Sequence, residues 1–327
     1  MPPIQKRLAR VGIAKQTAQG ENVASPAYSF GVLGGQVLSA EIEQENEEVT
    51  SDSRAVVGQN RLAVTPGADF TMRAYPKSLG LLLYLALGAK SVTGPVGAVY
   101  SHVFTMAQAL PYCTVFGYGA GEYTKVRDAM VDSFELSWEE AGPLEVALTL
   151  LGCDLELGLA PWTATTHDKD AGGKFRAAGG TFKLDAASNV PATAKVRAGA
   201  FRVPNALEVS RLSHSVKPSD LISSQVELGM GLTIRPDNMA EWRKIVTGSA
   251  AGTAITDVPV FGSFENKFVI DANTDLTIAS SRVAFMCDFP ESDPSGGPVD
   301  LELEGLISEP AAGAEVTVTL RNDVPSY

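Results

Sequence analysis

Phe70-Thr71-Met72-Arg73 closes an alternating run and leads through Pro76 into Leu79-Gly80-Leu81-Leu82-Leu83-Tyr84-Leu85-Ala86-Leu87, ended by Gly88. A second stretch of the same design follows much later: Leu232-Thr233-Ile234-Arg235, then Pro236, then Asn238 to Gly248. In both, an apolar-Thr-apolar-Arg strand end passes a proline and enters a short helix that stops at glycine. Proline suits a first helical position and glycine the position after the last. An internal repeat changes the reading of everything around it. The chain is therefore read as a β-rich unit written twice.

The helices of the two copies differ. Residues 77–88 are apolar nearly all round, so that helix must be covered on more than one side. Leu79, Leu82, Leu83 and Tyr84 are its candidate interface positions, set either against a neighbouring subunit or within the chain's own core. In the second copy Asn238 and Glu241 form a capping-box pattern. Met239, Trp242, Ile245 and Val246 make one apolar stripe there.

Strands flank both helices. Leu38, Ala40 and Ile42 alternate with Ser39, Glu41 and Glu43, which predicts a half-buried strand. The like-charged Gln44 to Glu48 predicts a solvated loop after it. Residues 53–73 return as strand, with breaks expected at Gly58 and Pro66-Gly67. Strands are also expected at 99–105 and 112–118. Phe134, Leu136 and Trp138, then Leu144, Val146, Leu148 and Leu150, mark a hairpin. In the second half, 206–212 matches the 36–43 strand weakly. Strands follow near 259–264 and 267–270, at Val283-Phe285-Cys287, at Val299-Leu301-Leu303 and at Val316-Val318-Leu320. The division read from this is an arm over 1–34, a first β domain over 35–157, a connector over 158–204 and a second β domain over 205–327.

With 327 residues, 45% of them apolar, the chain suits two domains with ordinary cores, and 31 Gly and 19 Pro fit short strands and turns. The net charge of −12 is shared evenly by the two halves, which argues against phosphate binding through clustered Lys and Arg and is otherwise an ordinary solubility feature. Cys113, Cys153 and Cys287 are scattered, without disulfide or zinc spacing, so free thiols are expected, Cys287 within the core. No signal peptide or membrane span is read, and an intracellular product is expected. No phosphate loop, dinucleotide fingerprint, nucleophile elbow or HExxH is present. His167-Asp168 lies in the connector, and His102 and His214 read as structural or surface residues. No enzyme activity, cofactor or metal is expected.

The pattern resembles the major tail tube proteins of long-tailed, non-contractile, siphovirus-type bacteriophages. The residues carrying the resemblance are the Leu38-Ala40-Ile42 strand with its acidic loop, Phe70 to Arg73 with its Leu-rich helix, and Tyr100-Ser101-His102-Val103-Phe104. Ala129 to Leu136 and Val316 to Asn322 also fit, so most of the chain outside 153–204 is covered. The resemblance implies a mainly β fold: two tandem tail-tube-like sandwich or barrel domains, each with a short flanking helix. It implies a non-enzymatic virion subunit, assembled in the host cytoplasm, that closes into rings stacked around a DNA-conducting lumen. A tandem pair implies a homotrimer with pseudo-sixfold symmetry, and an unduplicated domain implies a hexamer. Implied partners are the chain itself, a tape-measure protein and tail terminator or baseplate proteins, with genomic DNA passing without specific binding. Glu45, Glu47, Glu48 and Asp52, with Glu291 and Asp293, are candidate ring-to-ring contacts or plain solvated loop residues. The rival readings are another β-rich tail assembly protein, a tail terminator or contractile-system tube, and a ligand-binding or enzymatic β-sandwich.

Overall fold

A computed structural model describes residues 9–47, 58–167, 173–290 and 298–327. In the first half the elements are β1 (Arg10–Lys15), β2 (Tyr28–Glu47), β3 (Gly58–Arg73), α1 (Leu79–Leu87), β4 (Gly88–Val96), β5 (Val99–Met106), β6 (Cys113–Gly119), β7 (Glu122–Glu139), β8 (Glu145–Leu151) and β9 (Asp154–Glu156). Short strands follow: β10 (Thr166–His167), β11 (Thr181–Asp185) and β12 (Ala192–Thr193). The second half holds β13 (Val196–Pro204), β14 (Leu207–Ser210), β15 (Asp220–Ser223), β16 (Gly229–Ile234), α2 (Ala240–Thr247), β17 (Gly262–Asp271), β18 (Thr274–Met286), β19 (Leu301–Ile307) and β20 (Thr317–Asn322). The fold is mainly β, as expected.

One run of antiparallel pairings passes through both halves in the order β2, β3, β8, β7, β13, β16, β19, β18. A second run is β4, β5, β20, β18, β17, β11, β12. A third is β9, β7, β6, β1, β2. The long strands β2, β7 and β18 change partners along their length and so belong to two runs each. Phe70, Phe134, Leu148, Leu232 and Leu303 from the first run, Phe104, Leu276 and Val318 from the second, and Ile13 and Val115 from the third share one buried cluster with α1. The period-2 alternation of each strand sends one face into that cluster and leaves the other outside.

The pairing pattern occurs twice in matching register. Val32 stands opposite Met72, Gly34 opposite Thr71 and Gly35 opposite Phe70, with a bulge after Val32. Val196 stands opposite Ile234, Ala198 opposite Thr233 and Gly199 opposite Leu232, with a bulge after Val196. A side chain at Gly35 would meet the Asp69 carbonyl oxygen at 2.3 Å, and one at Gly199 the Trp138 ring at 2.4 Å. The glycine that ends each Val-x-small-Gly stretch, Gly35 or Gly199, is therefore required by close backbone or ring approach beside the bulge. Beyond β3 and β16, Met72 faces Val146 and Ile234 faces Leu301. The hairpins match as well, with Gln44 opposite Arg61 and Leu207 opposite Ser223.

Several expectations need correction. The segment read as an arm contains β1, whose Val11 and Ile13 are buried between β2 and β6. β2 runs on through Glu47, so the charged stretch expected to be a loop is the stem of a long hairpin with β3. Ala40 and Ile42 are exposed within the chain rather than half-buried. Pro66-Gly67 does not break β3, because Gly67 pairs with both Ser39 and Leu151 and the Pro66 carbonyl accepts from the Gly152 N–H. Within the expected connector, β13 is a central strand between β7 and β16. The counterpart of 36–43 is thus β13, not 206–212. A single strand, β17, replaces the two expected near 259–270, and β19 begins at Leu301, after Val299.

Both helices end at their glycines, Gly88 and Gly248 having positive φ. α1 starts at Leu79 rather than after Pro76. Every α1 residue except Tyr84 is buried, and Leu79, Leu82 and Leu83 lie in the chain's own core. Tyr84 is half-buried, with the Lys15 and Lys90 ammonium groups 4.8 and 4.9 Å from its ring. The last residue, Tyr327, lies on Gly80, where an added Cβ would meet its ring at 2.2 Å. α2 has no buried residue. Its capping box does not form: Asn238 accepts from the Ala240 N–H, while Glu241 accepts from the Ala186 N–H and the Lys244 ammonium.

Truncation of Leu83 to Ala leaves a void beneath both halves and is expected to lower unfolding stability by about 2–5 kcal/mol. Ile245→Ala on the half-exposed α2 is expected to cost about 1 kcal/mol or less. Denaturant titration of the unassembled chain compares the two.

Candidate assembly surfaces

The outer face of the first strand run is polar because every second residue of its strands points away from the core. Arg73, Glu145, Ser137, Ala200, Gly231, Glu304 and Met286 form one row across seven strands by direct pairing. Thr71, Ala147, Glu135, Arg202, Gly229 and Leu306 form the next. Glu139, Ala198, Thr233 and Glu302 form a third. The face bends into an open concavity of about 550 Å3. Arg202 lies 3.4 Å from Glu135 and 3.1 Å from Glu304, and Arg73 pairs with Glu145. Asp69, Glu139 and Glu302 make no ion pair among the described residues, so the face carries an acidic excess.

One ion pair recurs in both halves at the strand end that opened the sequence analysis. Arg73 reaches Glu145, and Arg235 reaches Asp300 at 2.9 Å, each acid standing just ahead of the core-facing residue of the next strand. In the second half Arg197 also joins Asp300 and ties it to Glu140, across the boundary between halves. The Arg235 guanidinium, with Arg197 beside it, holds the Asp300 carboxyl below the usual carboxylate range.

Among the described residues, the two ends of the first run lack partners along part of their length. Beyond Gly31, where β1 stops, β2 is paired only with β3. Past Val283, β18 is paired only with β19. Large apolar side chains stand open near these ends: Leu33 and Ile42 on β2, and Met286 (64% exposed) and Phe289 (61%) at and beyond the end of β18. Phe289 rests on Trp242 of α2, with ring centroids 4.9 Å apart. These edges are found by sheet pairing, and no local signal in the sequence marked them.

Of the candidate contact residues, Glu45 is exposed on the β2–β3 stem and Glu47 ends β2. Glu48, Asp52, Glu291 and Asp293 lie outside the described residues. The hairpin pair has diverged in chemistry. Leu207, Val209 and Leu221 of β14–β15 pack on Leu110, Tyr112, Met130 and Cys153 of the first half. The matching positions on the β2–β3 stem are Gln44, Asn46 and Gln59, all three exposed.

Burial pushes the Cys113 and Cys153 thiols up to about 12, so both are inert. Cys287, expected in the core, is only half-buried. His102 is buried, and its Nε2 lies 2.8 Å from the Val324 carbonyl oxygen. His167 sits on β10, beside β2. Among the described residues no helix is long and apolar enough to cross a membrane.

The depressed Asp300 pKa fixes the sign of a pH effect. Its stabilisation is present above the unfolded carboxylate value, about 3.9, and is lost as pH falls through the lower folded value. Asp300→Asn is therefore expected to reduce stability at pH 7 by about 0.5–1 kcal/mol, the pair being partly solvated. The gap from the parent should narrow as pH falls below the unfolded carboxylate value of about 3.9 and close beneath the lower folded value, as read from thermal melts across pH.

A family model described as phage tail tube protein matches residues 6–320. No curated protein matches the chain. With nearly the whole length matched, this chain belongs to the phage tail tube protein family, whose members are structural components of the virion.

Proposed function

We propose that the chain is the subunit of a siphovirus-type tail tube, with two tandem tube domains, and that three copies close a pseudo-sixfold ring. The observation that carries this reading is the β7–β13 ladder. It joins the C-terminal part of β7 in one half to the first strand of the other, from Ser133 opposite Pro204 to Glu139 opposite Ala198. β18 repeats the position of β7, and β2 repeats that of β13, yet these two are the open ends. Ser133 faces Thr149 as Met286 faces Glu304. Arg202 faces Gly229 as Ser39 faces Gly67. Repeating the internal joint between copies therefore sets Met286 opposite Glu41 of the next copy, and Cys287 opposite its Ala40. A head-to-tail contact of this kind closes into a ring when the rotation allows, and closure removes both exposed edges.

In such a ring the first runs of all copies join into the lumen wall, with the face of Glu139, Glu302 and Asp69 inward. Acidic side chains there repel DNA phosphates over about 8 Å at physiological salt, so a passing duplex is not held at the wall. The free β2–β3 hairpin, with Glu45 and Glu47, is the arm available for ring-to-ring contact. Tape-measure, terminator and baseplate proteins are the remaining partners of this reading, which assigns the chain no enzymatic activity and places it in the tail.

Two charges in the seam test the closure. M286D/F289D is expected to remain folded by circular dichroism but to sediment as a monomer at concentrations where the parent forms rings or tubes by negative-stain microscopy. Tubes formed by the double variant would overturn the seam. Reversal of the lumen charge, E139K/E302K, is expected to leave tubes intact while making them retain duplex DNA in low salt and release it in high salt. Parent tubes should retain none.

A further inference from the structure

The halves also meet through a second joint, in the second strand run. β5 follows α1 and lies along β20 of the other half, with Phe104 opposite Val318 and Ser101 opposite Arg321. The counterpart of β20 in the first half is β9 with the residues after it. Leu155 of β9 faces Val126 of β7, and the ladder carries on past β9 where the Leu159 N–H donates to the Tyr123 carbonyl. β20 lies along β18 in the same way, with Thr317 opposite Ala279. Among the described residues the outer edge of 154–160, unlike that of β20, has no strand paired to it; Lys217 reaches Asp154 at its start, and Leu157 is 57% exposed.

The counterpart of β5 is the segment between α2 and β17. Residues 249–261 form no strand, and they present Ile255 (79% exposed) and Val258 (69%) with nothing packed over them. Residues 106–110, which follow β5, show where the counterpart belongs. They line a cavity of about 640 Å3 shared with Leu306, Ser308 and Glu315 of the other half. By the register of the repeats, Leu306 and Ser308 correspond to Leu151 and Cys153, just ahead of β9.

We propose that Thr253–Val258 of one copy docks along the outer edge of residues 154–160 in the next copy of this chain, Ile255 and Val258 covering Leu157. The occupant is a second copy because the same joint already exists inside the chain, and because both of its unfilled sides are present on each subunit. This contact rests on the ring reading and adds to it an outer clasp, distinct from the lumen seam. It also departs from sixfold equivalence. Within a subunit the clasp is a strand ladder, whereas between subunits it is a loop with two apolar side chains.

Paired cysteines in a C287A background separate the two ideas, since Cys113 and Cys153 are buried. I255C/L157C reports the clasp, and M286C/E41C reports the lumen seam. After mild oxidation of assembled protein, non-reducing gels should show covalent dimers and closed trimers for both pairs. A mixture of the I255C and L157C single variants should stop at dimers. Linking at the seam but not at the clasp would overturn the clasp and leave the ring standing. Linking at neither would overturn the ring reading and the clasp with it. I255D/V258D, placed on an exposed loop, is expected to raise the protein concentration needed for tube formation at least tenfold, and an unchanged threshold would count against the clasp.

Discussion

The antiparallel ladder between β7 and β13 is the interaction on which the rest of the structure depends. It makes one sheet of the two halves, and it requires that β13 lie at the centre of the sheet although the surrounding sequence looks like a connector. Asn205, immediately after β13, locks the joint from behind: its Nδ2 donates to the Ala86 carbonyl on α1 and the Val131 carbonyl on β7. An extended strand exposes a row of N–H and C=O groups on each side, and burial of apolar surface does not satisfy them. Each repeat therefore carries one satisfied edge and one that asks for a partner. Two halves in a line leave the same two kinds of edge at the ends, on β2 and on β18.

The repeats have diverged where their surroundings differ. α1 lies under β4, β5 and the C-terminal residues, so all its faces meet protein and leucine is acceptable nearly everywhere. Asn322 secures that cover, its Nδ2 donating to the Pro76 carbonyl at 2.7 Å. α2 has no comparable cover. It keeps one apolar stripe and turns Glu241 and Lys244 to Ala186 and Asp185. The hairpins diverge for the same reason. Leucine and valine on β14–β15 have a surface of the same chain to meet, while glutamine and asparagine on the β2–β3 stem remain soluble without one. Chemistry follows burial in each case, and the backbone register is unchanged.

That division also explains what the sequence disclosed. Strand-helix-glycine units, the Phe134–Leu150 hairpin and the β-rich class were readable because each is set by local periodicity or a terminating glycine. The contrast between the helices was readable from the distribution of leucine. β13 is hard to read because Val196-Arg197-Ala198-Gly199 combines small residues, one of them a glycine demanded by the Trp138 ring, and these mimic a loop. The same holds for Val32-Leu33-Gly34-Gly35, which hid the start of β2. Like charge in the acidic stem reads as a loop, whereas an edge hairpin tolerates it on both exposed faces. Neither open edge was readable at all, since an edge is defined by the strand that is missing beside it.

The wall face shows why local charge and local fold are set independently here. Glu302 and Glu304 alternate with Leu301 and Leu303, so the leucines are fixed by the core and the glutamates are under no packing demand. Thr or Gln in their places would preserve the alternation and the register. The fold alone therefore does not account for the acidic excess. Arg202 is shared by Glu135 and Glu304 and offsets only one of their two charges, so an acidic remainder adds to Glu139 and Glu302 at the concavity, with Asp69 further along the same face. In an open monomer Glu139, Glu302 and Asp69 are ordinary solvated carboxylates. In the proposed ring they would be enclosed by copies of themselves with low-dielectric walls behind, where they would act on whatever occupies the enclosed space; the role proposed for them belongs to the closed assembly and not to a single chain.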